Sequence, residues 1–127
     1  MFDFDSNNRK LLGKIGFLAL RNGMTGQGEI IFSALAATAP EKGAPVIGLA
    51  MLDIAQKKYV QVVNRLEKWA AKTQKRDDMV QAYMGMALYF DKQMNRAEKI
   101  LQHVVDNGND AEAKKLGQTL LGEMKRA

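Results

Sequence analysis

Three tracks of residues repeat along this 127-residue chain at one shared interval. Small residues recur at Gly16, Ala50 and Gly85, which lie 34 and 35 positions apart. A shared offset predicts a repeated structural unit, in which a small residue lets two helices approach and a large residue fills the layer between neighbouring pairs. The two tracks with the same spacing are Gly28, Val62 and Ala97, followed by Phe32, Leu66 and Leu101.

Apolar residues within each repeat follow a helical period. Leu11, Ile15 and Leu18 recur at steps of three and four residues, and this segment meets a helix stop signal at Asn22-Gly23. A second apolar segment begins near Ile30 and runs towards Pro40. The breaks are short, so consecutive helices should pair antiparallel. Further helices are predicted over about 45–56, 60–73, 78–91, 95–106 and 110–125.

A repeat of 34 residues is the length of the tetratricopeptide unit, and the chain resembles a degenerate array of three such units. The eighth position of a tetratricopeptide unit is a small residue, and in the three units of this chain it is Gly16, Ala50 and Gly85. Pro40 occupies the position of the proline that closes the first unit. We therefore predict an all-α fold, a tetratricopeptide-like α-solenoid of three helical hairpins with a C-terminal capping helix. The units span about 9–42, 43–77 and 78–111, the cap about 112–125, the domain 9–127 and an N-terminal tail 1–8.

Composition limits the class of protein. With 46% apolar and 26% charged residues, the chain is typical of a folded domain, and no apolar run approaches the ~20 residues that span a bilayer. The acidic N-terminus does not have the pattern of a secretion signal. There is no cysteine, which excludes disulfides and thiolate metal sites. These features are compatible with a cytoplasmic protein.

Candidate catalytic groups are few. His103 is the only histidine, so a histidine-dependent triad or metal cluster lacks partners. Asp77 and Asp78 are adjacent and do not face each other on a helix, and we expect them to cap the helix that begins near Met79. The glycine-rich segment 23–28 lacks the Lys-Ser or Lys-Thr ending of a phosphate loop. The sequence predicts no enzyme, no cofactor and no metal site.

Seven basic residues lie between positions 53 and 76, and the only acidic residues in that range are Asp53 and Glu67. Such a stripe can meet phosphates, an acidic protein or anionic lipid. The spacing of Arg65, Lys68 and Lys72 is that of one exposed side of a helix, so we favour a solvated helix face and expect no nucleic-acid partner. The stripe consists of Lys57, Lys58, Arg65, Lys68, Lys72, Lys75 and Arg76.

The tetratricopeptide resemblance also implies a concave groove, lined by the first helix of each unit. The positions that point into it are mostly apolar here, and only Lys10 and Arg21 are basic, which favours an amphipathic helix or extended apolar segment over a charged terminus. Met51, Met86, Tyr89 and Phe90 could instead be covered by the chain's own terminal helix. The residues predicted to contact a partner are Phe17, Leu20, Ile47, Met51, Ile54, Met86, Tyr89 and Phe90.

Short apolar motifs narrow the resemblance. The segments 15–20, 31–35 and 45–51, together with Pro40, are similar to the small tetratricopeptide proteins of bacterial type III secretion systems, over about residues 10–122. The resemblance implies a bacterial cytoplasmic chaperone that sequesters a secreted, needle-type subunit, alone or with a second small chaperone. The alternative is a scaffold that self-associates into a homo-oligomer through the same face and organises a secretion complex.

Overall fold

The computed structural model describes residues 6–126, and residues 7–126 with their side chains. This part of the chain is all-helical, and the all-α prediction is confirmed. The five helices predicted from residue 45 onward agree with the observed bounds to within two residues at either end. The seven helices of the described residues are α1 Ser6–Arg21, α2 Thr25–Thr38, α3 Gly43–Ala55, α4 Tyr59–Thr73, α5 Asp78–Phe90, α6 Met94–Asn107 and α7 Ala111–Arg126.

The first helix begins earlier than the sequence pattern indicates. Apolar periodicity starts near Leu11, and the predicted tail comprised residues 1–8, but α1 begins at Ser6. Residues 6–8 therefore belong to the helix, and residues 1–5 of the predicted tail lie outside the described residues.

The chain divides into two compact units, of which the first ends at Leu52 and the second begins at Asp53. This boundary falls within α3, not in a linker. In the first unit α1 packs against α2. In the second unit α5 packs against α4 and α6, and α7 packs against both α5 and α6.

One aromatic ring joins three helices of the first unit. Phe32 on α2 is fully buried. A Cβ added at Gly16 of α1 would lie 2.8 Å from its Cζ, and one added at Gly48 of α3 would lie 2.5 Å from its Cγ. The absence of side chains at Gly16 and Gly48 thus lets α1 and α3 approach the ring from two directions.

In the second unit, a glycine likewise lets α5 and α6 pack closely around a buried side chain. A Cβ at Gly85 would lie 2.6 Å from Cγ of Leu101, and Leu101 is fully buried. Ala82, Val104 and Ala113 form a buried cluster through which α7 packs against α5 and α6. Met84 is also buried, as we expect for an inward-facing position.

Two adjacent aspartates in the second unit accept backbone hydrogen bonds at different places. Asp77 is the N-cap of α5, where its side chain accepts a hydrogen bond from the backbone N–H of Val80 at 3.0 Å, as predicted. Asp78 does something that its sequence context does not show. Its Oδ2 accepts from the backbone N–H groups of Asn109 and Asp110, at 2.7 and 3.1 Å. Asp78 therefore ties the start of α5 to the loop before α7.

We expect Asp78→Ala to lower the free energy of unfolding by about 1–2 kcal/mol, because two backbone N–H groups lose a charged acceptor. Asp77→Ala is the matched comparison and should cost about 1 kcal/mol through loss of the cap. Urea denaturation measures both. Hydrogen exchange separates them, since only Asp78→Ala should speed exchange of the amides of Asn109 and Asp110. Unchanged exchange there would contradict the assigned role of Asp78.

Candidate partner-binding surfaces

The eight residues predicted to contact a partner divide between the two units. In the first unit, Ile47 is only 8% exposed and belongs to the core. Leu20 is half-buried and lies against α2, since a Cβ at Gly28 would be 2.5 Å from its Cδ2. Phe17 and Met51 are also half-buried. Phe17 and Met51 thus keep part of their surface accessible, whereas packing within the unit occupies Ile47 and much of Leu20.

Phe17 borders an open cavity of about 360 Å³, which we call the first-unit groove. Its floor is apolar, and the rings of Phe17 and Phe32 are in contact there, with centroids 4.7 Å apart and planes tilted by 60°. The groove runs beside α1, the connection of residues 39–42 between α2 and α3, and the first residues of α3. Its lining consists of Arg9, Lys10, Gly13, Lys14, Phe17, Phe32, Leu35, Ala39, Lys42, Ala44 and Pro45.

Gly13 keeps the groove open along α1. A Cβ added there would meet no atom within 4 Å, in contrast to Gly16 one turn later. Glycine inside a helix costs roughly 0.5–1 kcal/mol relative to alanine. Packing does not require a glycine at this position, so its effect is to leave space beside Phe17.

Basic side chains surround the apolar floor. Lys10, Lys14 and Lys42 line the groove and are exposed, Arg9 is half-buried, and no acidic residue belongs to the lining. Sequence reasoning named Lys10 and missed Lys14 and Lys42, because it placed the groove along the first helices of the repeats and not beside the α2–α3 connection. The spacing of Lys10, Gly13, Lys14 and Phe17 on one side of α1 is the signal that could have found this rim.

Three aromatic rings contact one another in the second unit. Phe90 at the end of α5 is 42% exposed. Its ring stacks on Tyr59 of α4 with centroids 5.7 Å apart and contacts Tyr89 at 5.4 Å. We call these three residues the second-unit aromatic cluster. Sequence reasoning found Tyr89 and Phe90 but missed Tyr59, which belongs to another helix.

The two remaining predicted contacts, Ile54 and Met86, are both half-buried. They lie in the second unit, on α3 and α5. Their side chains therefore keep some surface for a partner, but less than Phe90 offers.

The basic stripe of residues 57–76 is exposed, and Arg65 within it has an acidic partner. Arg65 pairs with Asp53 at 3.2 Å, and Glu67 pairs with Arg96 at 3.5 Å. Arg76 contacts the ring nitrogen Nε2 of His103. All seven basic residues of the stripe are exposed, as residues of a solvated surface are.

His103 and Tyr83 are two ionisable residues of the second unit. His103 is exposed on α6, where its Nδ1 also contacts the amide of Asn107 at 3.2 Å. Burial raises the pKa of the Tyr83 hydroxyl above its ordinary value. Within residues 6–126, no group of three or more histidine, aspartate or glutamate residues is arranged to hold a metal ion.

Comparison with known proteins adds no relative. No protein-family model matches the chain, and no curated protein matches it. Among the helices of the described residues, none combines the length and apolar character needed to cross a membrane. The sequence motifs and the two surfaces described above are therefore the features that indicate a function.

Proposed function

We propose that this protein is a cytoplasmic chaperone of a bacterial type III secretion system, which sequesters an amphipathic segment of a secreted, needle-type subunit. The observation that carries the proposal is the first-unit groove, an open apolar cavity beside α1. The second-unit aromatic cluster supports it, because Phe90 is exposed there and aromatic side chains are enriched where proteins bind one another.

A tetratricopeptide-like solenoid is part of the same proposal. Its support is the use of equivalent positions in the first and third repeats, where Gly16 faces Phe32 and Gly85 faces Leu101. In the second repeat the corresponding residues, Ala50 and Leu66, are both fully buried. The seventh helix, α7, covers α5 and α6 as a capping helix would.

Sequestration needs no chemistry beyond burial. A subunit that assembles outside the cell carries an apolar helix face that aggregates before export. Each large apolar side chain that leaves water contributes roughly 1.5–3 kcal/mol, and much of the total is offset by ordering the guest. The chaperone therefore holds its guest reversibly, and a few anchor side chains account for most of the affinity.

Co-expression with the small secreted subunits encoded nearby tests the proposal. We expect a soluble complex from which mass analysis identifies the guest, whereas the subunit alone aggregates. Recovery of this protein as a defined homo-oligomer that captures no subunit would contradict the chaperone role.

The second-unit aromatic cluster predicts a specific effect of Phe90→Glu. We expect guest affinity to fall about tenfold or more, because a charge replaces an exposed aromatic contact, while the melting temperature changes little. Ile30→Glu is the matched control, since Ile30 is 72% exposed on α2 and does not line the groove. Titration of purified complexes by calorimetry measures both. Equal affinities for the two variants would remove the aromatic cluster from the binding surface.

One observation favours the scaffold alternative. Leu11, Ile15 and Leu18 form a stripe on α1 at helical spacing, and they are 57%, 44% and 53% exposed. These three residues do not line the groove, so they offer a second apolar surface on the same helix. A mass that rises with protein concentration, and returns to that of the monomer in Leu11→Gln/Leu18→Gln, would place self-association ahead of guest binding.

A further inference from the structure

We propose that the segment held by the first-unit groove is acidic as well as apolar. Its large apolar side chains fill the floor around Phe17, and its aspartate or glutamate carboxylates pair with Lys10, Lys14 and Lys42 at the rim. This inference rests on the proposed partner-binding role of the groove and specifies the charge of the partner.

The lining of the groove separates apolar and charged groups. Phe17, Phe32, Leu35, Ala39 and Pro45 supply the apolar floor. All charged residues in the lining are basic, and α1 carries no acidic residue between Ser6 and Arg21. A peptide with apolar anchors flanked by carboxylates is complementary to both parts, whereas a basic peptide would meet like charges.

Lys10 and Lys14 are four residues apart on α1, a spacing at which like charges destabilise a helix. Among residues 7–126, no carboxylate lies within ion-pair distance of Lys10, Lys14 or Lys42, although Arg65 and Arg96 of the second unit have acidic partners. Carboxylates from a bound segment would relieve this repulsion. The rim is therefore arranged for an anion that the described chain does not provide.

The size of the groove limits what enters it. A volume of about 360 Å³ is at the small end of ligand pockets, which run from about 300 to 1,000 Å³. It has room for a few anchor side chains and not for a whole helix. The segment therefore inserts its apolar anchors and keeps its backbone and carboxylates at the mouth, where the lysines lie.

A matched pair of synthetic helical peptides tests the charge preference on the full-length protein. Both have about 15 residues and identical apolar faces, with glutamates beside the apolar face in one and glutamines in the other. Fluorescence anisotropy should give about tenfold tighter binding of the glutamate peptide at low salt, from two or three partly exposed ion pairs. The difference should largely disappear at about 1 M salt, where charges are screened within about 3 Å.

Charge reversal at the rim of the groove is the second test of the charge preference. Lys10→Glu/Lys14→Glu should abolish the preference for the glutamate peptide, because the lining then carries two acidic residues beside Arg9 and Lys42. An unchanged circular dichroism spectrum shows that the variant is folded. Lys68→Glu/Lys72→Glu on α4 is the control, because it makes the same change in net charge at the same spacing on exposed residues.

The outcomes distinguish failure of the acidic preference from failure of the proposed chaperone role. Equal binding of the glutamate and glutamine peptides would overturn the acidic preference and leave the proposed chaperone role intact. Binding of neither peptide would overturn both. Loss of preference in the α4 control as well as in the rim variant would show that overall charge, not the groove, attracts the peptide, and would also overturn the inference.

Discussion

Replacing Gly13 with phenylalanine should leave the protein folded and reduce guest affinity by at least about 30-fold, the effect of losing an interface anchor. A side chain at this position meets no atom of the protein within 4 Å at its Cβ and extends into the first-unit groove beside Phe17. The new ring would occupy the space in which the guest's apolar anchors bind. Calorimetric titration with the co-purified guest measures the loss, and circular dichroism follows the fold.

Two other glycine substitutions control for effects on the helix. Gly13→Ala should retain binding and raise the free energy of unfolding by roughly 0.5–1 kcal/mol, because a methyl group fills little of the groove and alanine favours the helix. Gly16→Ala should instead destabilise the protein, since its Cβ would lie 2.8 Å from Cζ of Phe32. Normal guest affinity in a stable Gly13→Phe protein would show that the groove is not the binding site.

Local rules predict the helices well and their long-range contacts poorly. Apolar periodicity and short polar breaks gave the helix bounds, and the position of Asp77 before an apolar run gave its capping role. Asp78 has the same local context, yet its carboxylate binds amides 31 and 32 residues further along the chain. No local pattern distinguishes the two aspartates, because the difference depends on where α7 begins in space.

Among the residues predicted to contact a partner, Leu20 shows how packing within a unit covers part of a side chain. The rule that placed it in a groove uses only the position of Leu20 on the first helix of its repeat, and does not consider the space that Gly28 leaves on the second helix. The missing methyl group leaves room into which Leu20 packs. The residue at position 28 on α2 thus affects how much of Leu20 on α1 is exposed.

The basic rim of the first-unit groove also depends on contacts between helices. The rim depends on Lys42 and on the α2–α3 connection, whose position relative to α1 follows from the packing of Phe32 between Gly16 and Gly48. The sequence shows where these lysines and glycines are, but it does not show that they meet at one cavity. Their juxtaposition is a property of the tertiary structure.

Phe32→Ala should lower the free energy of unfolding by about 3–5 kcal/mol, a large share of the roughly 5–15 kcal/mol that stabilises an ordinary domain. The ring is fully buried and fills the space between three helices. Gly48→Ala alone should also destabilise, because its Cβ would lie 2.5 Å from three ring atoms of Phe32. In the Phe32→Ala background the same methyl group would occupy part of the cavity, so the double variant should be more stable than Phe32→Ala alone. Urea denaturation of the four proteins gives the coupling energy, and additive effects would contradict the assigned contact between Phe32 and Gly48.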